Sequence, residues 1–453
     1  MIESPDITDK TNLLILKDMQ TDTVFTESSL LALGYNITGT VLASGEGRVR
    51  SDVAPHVILV VAEKLTPVFE VAIKAILTGY APRKIAVIAL VEQQKPSYPS
   101  CYDAVLVQPA HPMQIHNRIT GLTRLRRIET ALISRRETLV EDFRVNCEAR
   151  DVLLGVPFRI LFVGSATPEF LKILNVLQEK NVEVFAAFTS FTAFDYLHDN
   201  DFDAVVLNAT ESLEPALSVS ETMREAPRLY DVPTLVMANK TNADIGEAAI
   251  KKGARDVFYA SASQYEIAGR ILELANFHRI HSALKKELAE IDTIAGLDAP
   301  TQLYNREFLH ANLARVSAYH AQIGETVSLL MLRIRPVSMD VVGNERITAA
   351  LDQIGSKLKS LVRAEDLVAR VRDDVFAVAF PGQAKASVQV VGQRIKEVID
   401  SAVFKSRDTQ GGPLTLEAEF LLSEKLPHES SDTFIVKTEQ ELMGSPSDFR
   451  IAN

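Results

Sequence analysis

From Leu13 to Ile291 the apolar positions come in blocks rather than singly. Leu13–Leu16, Ile37–Ala43, Val57–Ala62, Lys84–Val91 and Ala104–Val107 are short, nearly continuous apolar runs, separated by stretches with helical spacing. A strand with one wet face alternates apolar and polar residues, whereas continuous runs of this length suit parallel strands covered on both faces. A helical stretch with clustered arginines follows from Pro112 to about Phe143, and the block pattern then returns. Arg159–Val163, Val182–Phe188, Ala204–Leu207, Thr234–Ala238 and Val257–Tyr259 read as a second set of strands, closed by a helix from Tyr265 to about Ile291. Two series of βα units in this order predict two tandem, doubly wound domains of the flavodoxin-like kind. Beyond Ile291 the order changes to a strand (Ser328–Ile334), a helix (Asn344–Val362), a hairpin (Leu367–Phe380), a helix from about Ala384 to Val403, and a strand (Leu414–Leu422). That order predicts an α+β domain.

Composition narrows the class. The chain has 453 residues, enough for about three domains of ordinary size. Its apolar and charged fractions are those of soluble globular protein. The longest apolar runs, such as Val57–Ala62 and Ile85–Val91, are strand-sized, so no membrane insertion is expected. The stretch Met1-Ile2-Glu3-Ser4-Pro5-Asp6 is acidic and polar, unlike a signal peptide. Cys101 and Cys147 make no disulfide framework, and a reduced cytoplasm is the expected compartment. A net charge of -11 argues against nucleic-acid binding, which relies on a basic surface. An anionic ligand would need a local arginine cluster.

Two stretches carry the chemistry. Asp298-Ala299-Pro300-Thr301-Gln302-Leu303-Tyr304-Asn305-Arg306 resembles the D-x-L-T-G-L-Y-N-R motif that opens GGDEF (diguanylate cyclase) domains, departing from it at Pro300 and Gln302. Arg363–Phe376 resembles the R-x-x-D product-binding site of that family followed by its G-G-D/E-E-F turn. The turn has become Arg372-Asp373-Asp374-Val375-Phe376, while Arg363 and Asp366 stand at the family's spacing. The two preceding domains resemble response-regulator receivers. The resemblance implies a degenerate receiver over residues 1–145, a second over 155–292, and a degenerate GGDEF domain, nucleotidyl-cyclase-like in fold, over 293–453.

The resemblance also implies which activities are lost. A receiver takes a phosphoryl group on an aspartate, helped by an acidic pair, a Ser/Thr and a Lys. In the first domain those positions fall on Val61, Lys17-Asp18, Ala89 and Gln108; in the second they fall on Asn208, Val163-Gly164, Ala238 and Ala260. Valine and asparagine supply neither the nucleophile nor the metal charge, so both receivers are expected to be silent interaction surfaces. No G-x-G-x-x-G follows either first strand, which argues against dinucleotide binding. A diguanylate cyclase holds two metals on two carboxylates. Here the first position is Arg333, the second survives as Asp374, and the turn's glutamate is Val375. The family's guanine readers fall on Met339 and Thr348, its late phosphate-binding Lys near Pro446, and the Arg after it on Arg450. No catalytic residue and no metal site is therefore expected.

Cyclic di-GMP binding is the expected function. Arginine can pair bidentately with guanine or phosphate, and a carboxylate can accept from the guanine N1–H and N2–H₂ edge. The family's site uses the R-x-x-D pair and a third arginine on the next helix, which places it at Arg363, Asp366 and Arg394. Further copies of the tetrapeptide, Arg228…Asp231 and Arg370…Asp373, lie in other settings and read as loop and strand residues. The bland alternative for Arg363 and Asp366 is an exposed helix-end pair. His111, His116, His278, His281 and His310 show no metal spacing. The basic run Arg124, Arg126, Arg127, Arg135 and Arg136 and the stretch Leu284–Leu288 read as solvated helix faces, although the basic run could lend an arginine to a nucleotide bound between domains. Two rival readings remain: a divergent active cyclase, and a nucleotide-independent scaffold. The resemblance further implies a homodimer acting in the cytoplasm, at a cell pole. There such a protein brings an adaptor and a substrate, a cell-cycle regulator, to the ClpXP protease.

Overall fold

The apolar blocks become strands, and their continuous character has the expected cause: they lie in parallel sheets between helices. The computed structural model describes residues 11–44, 47–49, 53–93, 98–147, 155–178, 180–239, 244–292, 294–337, 341–404 and 414–444. The first sheet is built from β1 (Asn12–Lys17), α1 (Val24–Ala32), β2 (Asn36–Leu42), β3 (Gly47–Val49), β4 (Val57–Val61), α2 (Pro67–Gly79), β5 (Ala86–Val91) and β6 (Ala104–Val107). Its order is β3-β2-β1-β4-β5-β6, with every pairing parallel except that of the short edge strand β3. Without β3 this is the flavodoxin-like order. Every residue of β4 and β5 is buried, because helices cover both faces.

A long helix, α3 (Pro112–Glu141), leads to the second sheet. There β7 (Phe158–Val163), α4 (Pro168–Gln178), β8 (Val182–Ala187), α5 (Ser190–Asp199), β9 (Ala204–Asn208), α6 (Leu213–Glu225), β10 (Thr234–Ala238), α7 (Asp244–Lys251) and β11 (Asp256–Tyr259) give the order β11-β10-β9-β7-β8, again parallel. A second long helix, α8 (Gln264–Ile291), follows. The chain divides into two compact units, Met1–Arg126 with Asp151–Ala283, and Arg127–Arg150 with Leu284–Asn453. Both parallel sheets belong to the first. Within it, the buried Asp256 at the start of β11 accepts from Arg270 at 3.1 Å and from Gln114 of α3, so the helix is tied to the second sheet by a paired buried charge.

The second unit holds a mixed sheet. Its elements are β12 (Leu297–Asp298), β13 (Leu303–Tyr304), α9 (Arg306–Gln322), β14 (Val327–Pro336), α10 (Val341–Leu361), β15 (Leu367–Arg370), β16 (Val375–Pro381), α11 (Lys385–Ser401), β17 (Val403–Phe404), β18 (Leu414–Glu424) and α12 (Ser431–Gly444). The strand order is β12-β13-β15-β16-β14-β18-β17. Central β14 shows the two-residue period of a strand in its side chains. Leu329 and Met331 face a core shared with α9, α12 and the ends of α3 and α8, while Leu330, Leu332 and Ile334 face α10 and α11. The short β3 and β17 and the helices α9 and α12 were not anticipated from the sequence.

Two expectations about solvated faces are corrected. Arg135 is only 2% exposed, and Arg136 is half-buried against Glu287. Leu288 is buried in the second unit's core with Ile128, Leu132 and Leu139 of α3. Both stretches carry a buried stripe beneath their charges, as long polar side chains on a core-facing helix allow. Among the described residues, no helix is long and apolar enough to cross a membrane.

Candidate functional site

The opening motif is a local scaffold. Asp298 accepts from the Thr301 hydroxyl at 2.6 Å and its backbone N–H at 3.1 Å, closing the turn between β12 and β13. Asn305 caps α9 by accepting from the Phe308 N–H at 2.8 Å. Tyr304 stacks on Phe308 and donates to Asp292 at 2.5 Å. Arg306 reaches the buried Glu439 of α12 at 3.0 Å. The motif thus fixes the frame into which the next helix and strand fit.

The three predicted ligand residues gather where α10 gives way to β15. Asp366 is 6% exposed. Its Oδ2 accepts from the backbone N–H of Arg363 at 3.0 Å, and its Oδ1 accepts from Gln383 Nε2 at 3.2 Å. The carboxylate therefore closes the 363–366 turn from inside, and each oxygen keeps one further lone pair. Arg394 of α11 donates through Nη2 to the Leu361 carbonyl at 2.5 Å, serving one of the carbonyls that a helix end leaves without an intrahelical partner. Its Nε is buried with no hydrogen-bond partner among the described residues. The Arg363 guanidinium is half-buried and makes no hydrogen bond there either. Burial and then the neighbouring Glu365 push the Asp366 carboxyl up to about 7, against the pull of the Arg363 N–H and the Arg363 and Arg127 charges.

The sequence reading passed over the groups that hold this turn from outside. Arg135 Nη2 donates to the carbonyls of Ala364, Glu365 and Asp366, while its Nη1 pairs with Asp292 at 2.8 Å. Glu365 is only 4% exposed and neither carboxylate oxygen has a hydrogen-bond partner among the described residues. Arg127 of α3 supplies the opposite charge nearby. No local motif could have shown these links, because α3 and the turn are more than two hundred residues apart.

At the other end of the β15–β16 hairpin, the altered turn is stitched by arginines. Arg333, at the predicted metal-carboxylate position, donates from Nε to Asp374 Oδ2 at 2.7 Å. Arg370 bridges both oxygens of Asp298 at 3.2 Å. Arg372 ion-pairs with Glu439. Val375, which replaces the turn's glutamate, is fully buried in the core. Residues 372–374 turn the hairpin without positive φ, so the paired glycines of the family are not required here. These residues do not fit a pair of divalent metals, since a guanidinium already occupies Asp374 and opposes a cation there. Met339, Pro446 and Arg450, and the side chain of Thr348, lie outside the described residues.

In the parallel sheets the predicted phosphoacceptor positions fall at the carboxyl ends of central strands, where such folds place their sites. Val61 ends β4 and is buried; Asn208 ends β9. Asn208 accepts from Thr210 in its own loop and donates to the Ser165 carbonyl in the loop after β7, a neutral side chain tying two loops together. Arg228 bonds to His198 and Asp201.

Residues 295–443 match the family described as the diguanylate cyclase GGDEF domain. The response regulator PleD of Caulobacter vibrioides is 22% identical over 302 residues, and the match spans 66% of its length and 66% of this chain. The chain is thus similar to a GGDEF-domain response regulator of that kind. Among solved structures, the GGDEF domain of DgcB from Caulobacter crescentus, in complex with c-di-GMP, is 23% identical; it covers 33% of this chain and 86% of its own, with a TM-score of 0.29. The FimX GGDEF domain from Pseudomonas aeruginosa is 16% identical and covers 33% of this chain and 93% of its own, with a TM-score of 0.30.

Proposed function

We propose that this chain is a cyclic di-GMP effector that has no cyclase activity. Two degenerate receiver domains, over residues 1–145 and 155–292, precede a degenerate GGDEF domain over 293–453. The observation that carries the reading is a contrast between the arginines at the two ends of the β15–β16 hairpin. Arg363 leaves a buried, well-held turn with no hydrogen bond to its guanidinium among the described residues, and Arg394 converges on the same helix end with its Nε unpartnered. Arg333 and Arg372, by comparison, are consumed by Asp374 and Glu439. Unpaired guanidinium donors are what a dinucleotide with two phosphates and two guanines recruits. Asp366 shapes the turn that presents Arg363, and the lone pair left on each of its oxygens accepts from the guanine edge. The match of residues 295–443 to the diguanylate cyclase GGDEF family supports the ligand class.

Ligand binding would fix a surface of the C-terminal domain for a protein partner. The chain resembles PopA, a non-enzymatic relative of PleD, and that likeness supplies the rest of the proposal. It comprises a cytoplasmic homodimer, recruitment to a cell pole, and delivery of an adaptor and a cell-cycle regulator to ClpXP. Titration calorimetry tests the site. The wild-type chain is expected to bind cyclic di-GMP in the micromolar range or tighter, and Arg363→Gly to abolish binding. Equal binding by both chains overturns the assignment.

A further inference from the structure

We infer that Arg135 is a positioning residue for the ligand turn: its guanidinium fixes the 363–366 backbone, and through it the direction in which Arg363 leaves that turn. The inference rests on the reading that this turn binds cyclic di-GMP. Three successive carbonyls, those of Ala364, Glu365 and Asp366, converge on Arg135 Nη2 at 3.2, 3.3 and 2.8 Å. The other arm of the same guanidinium is clamped by both oxygens of Asp292 at 2.8 and 3.0 Å, and Asp292 is held in turn by the Tyr304 hydroxyl. Arg135 is 2% exposed, so water cannot replace it cheaply.

The turn is therefore gripped twice. From inside, Asp366 holds the Arg363 N–H; from outside, Arg135 holds the carbonyls of the three residues that follow. The half-buried Arg363 guanidinium is left without a hydrogen bond among the described residues, whereas the unbonded Glu365 carboxylate is buried. A planar fork is needed for this duty, because one arm must face a carboxylate while the other faces carbonyls. Lysine carries a single compact ammonium and cannot serve both. Two turns earlier on α3, Arg127 sets its charge against the buried Glu365 of the same turn. One helix thus supplies both the electrostatic and the hydrogen-bonding support of the proposed site.

The test uses the full chain. Cyclic di-GMP is titrated into the wild type, Arg135→Ala, Arg135→Lys and Arg363→Gly, and backbone amide exchange is followed over residues 363–366. Loss of a supporting group should raise Kd for both Arg135 variants by about tenfold to a hundredfold, with the stoichiometry per folded chain unchanged. Amide exchange in the turn should quicken in both variants. A purely structural role would lower stability and the number of competent chains while leaving the Kd of the folded ones unchanged, and that result overturns the inference. If Arg135→Ala does not fold, Arg135→Lys decides by the same two readouts. A wild-type chain that does not bind defeats the functional reading itself. Binding that survives at wild-type strength in Arg135→Lys defeats this inference alone.

Discussion

Gln302 adopts φ 55°, a left-handed conformation that costs a residue with a side chain about 1–2 kcal/mol. It stands where the GGDEF opening motif carries glycine. Its N–H to the Asp298 carbonyl and its side chain to the Ala299 carbonyl hold it there, so the turn has outlived the residue that suits it. That is why the motif was legible despite its departures: its turn, stack and cap are made within the motif and the residues next to it, and the Arg306 ion pair to Glu439 is the one contact of the set that reaches far along the chain. Glu365 and Arg135 were not legible, because their duties depend on a partner distant in sequence. Asp366 offers a readout at this scale. Its carboxyl is raised to about 7, chiefly by burial and next by Glu365, against about 4 in an unfolded chain. Between those values the folded chain keeps a proton that the unfolded chain has lost. The group's contribution to stability is therefore complete at the acid end and disappears as pH rises through 7. Urea unfolding at about pH 5 and about pH 8 should show the wild type losing stability relative to Asp366→Asn, which cannot titrate. A gap between the two chains that stays constant with pH would contradict the assigned shift.

At the scale of elements, α10 packs so closely that Gly355 lies against the Thr301 carbonyl, leaving no room for a Cβ. This contact brings the helix end, and with it the ligand turn, onto the frame set by the opening motif. Gly355→Ala should destabilise the chain by about 2 kcal/mol or more, the scale of overpacking against backbone that cannot retreat. Gly246 of α7 has nothing within 4 Å of an added Cβ, so Gly246→Ala should instead stabilise by about 0.5–1 kcal/mol through helix propensity. Thermal unfolding of both variants checks the pair; two substitutions of equal effect would deny the close approach. The parallel strands were legible because their buried positions are mostly apolar, with Thr38, Thr234 and Asp256 as isolated exceptions, and the described part of α10 buries Ala350, Leu351, Ile354 and Leu358 at helical spacing. Helices α9 and α12 were not, because their buried faces include Asn312, Ser317 and His320, and Thr438 and Glu439. Asn312 donates to Ser134 and Thr138 of α3, and Glu439 receives Arg306 and Arg372. Polar seams of this kind break the apolar period from which a helix is read.

For the molecule as a whole, the decisive feature is how its charges are disposed around the altered turn. The chain carries a net charge of -11, yet the carboxylates nearest the turn already have cationic partners. Asp374 is taken by Arg333, Asp298 by Arg370, and Glu439 by Arg372. A pair of metals holding a triphosphate would have to displace Arg333 from Asp374 and then find a second carboxylate. Arg333→Asp supplies that second carboxylate and removes the opposing cation. It leaves Val375 in the core and Arg372 on Glu439, so the turn still lacks its glutamate. Neither the wild type nor Arg333→Asp should therefore convert GTP with magnesium into cyclic di-GMP, as read by nucleotide chromatography. Arg333→Asp should also be less stable, because Asp374 loses its partner and faces a like charge. Product from Arg333→Asp alone would mean that a single ion pair separates this chain from an enzyme, and the effector reading would then give way to a latent cyclase.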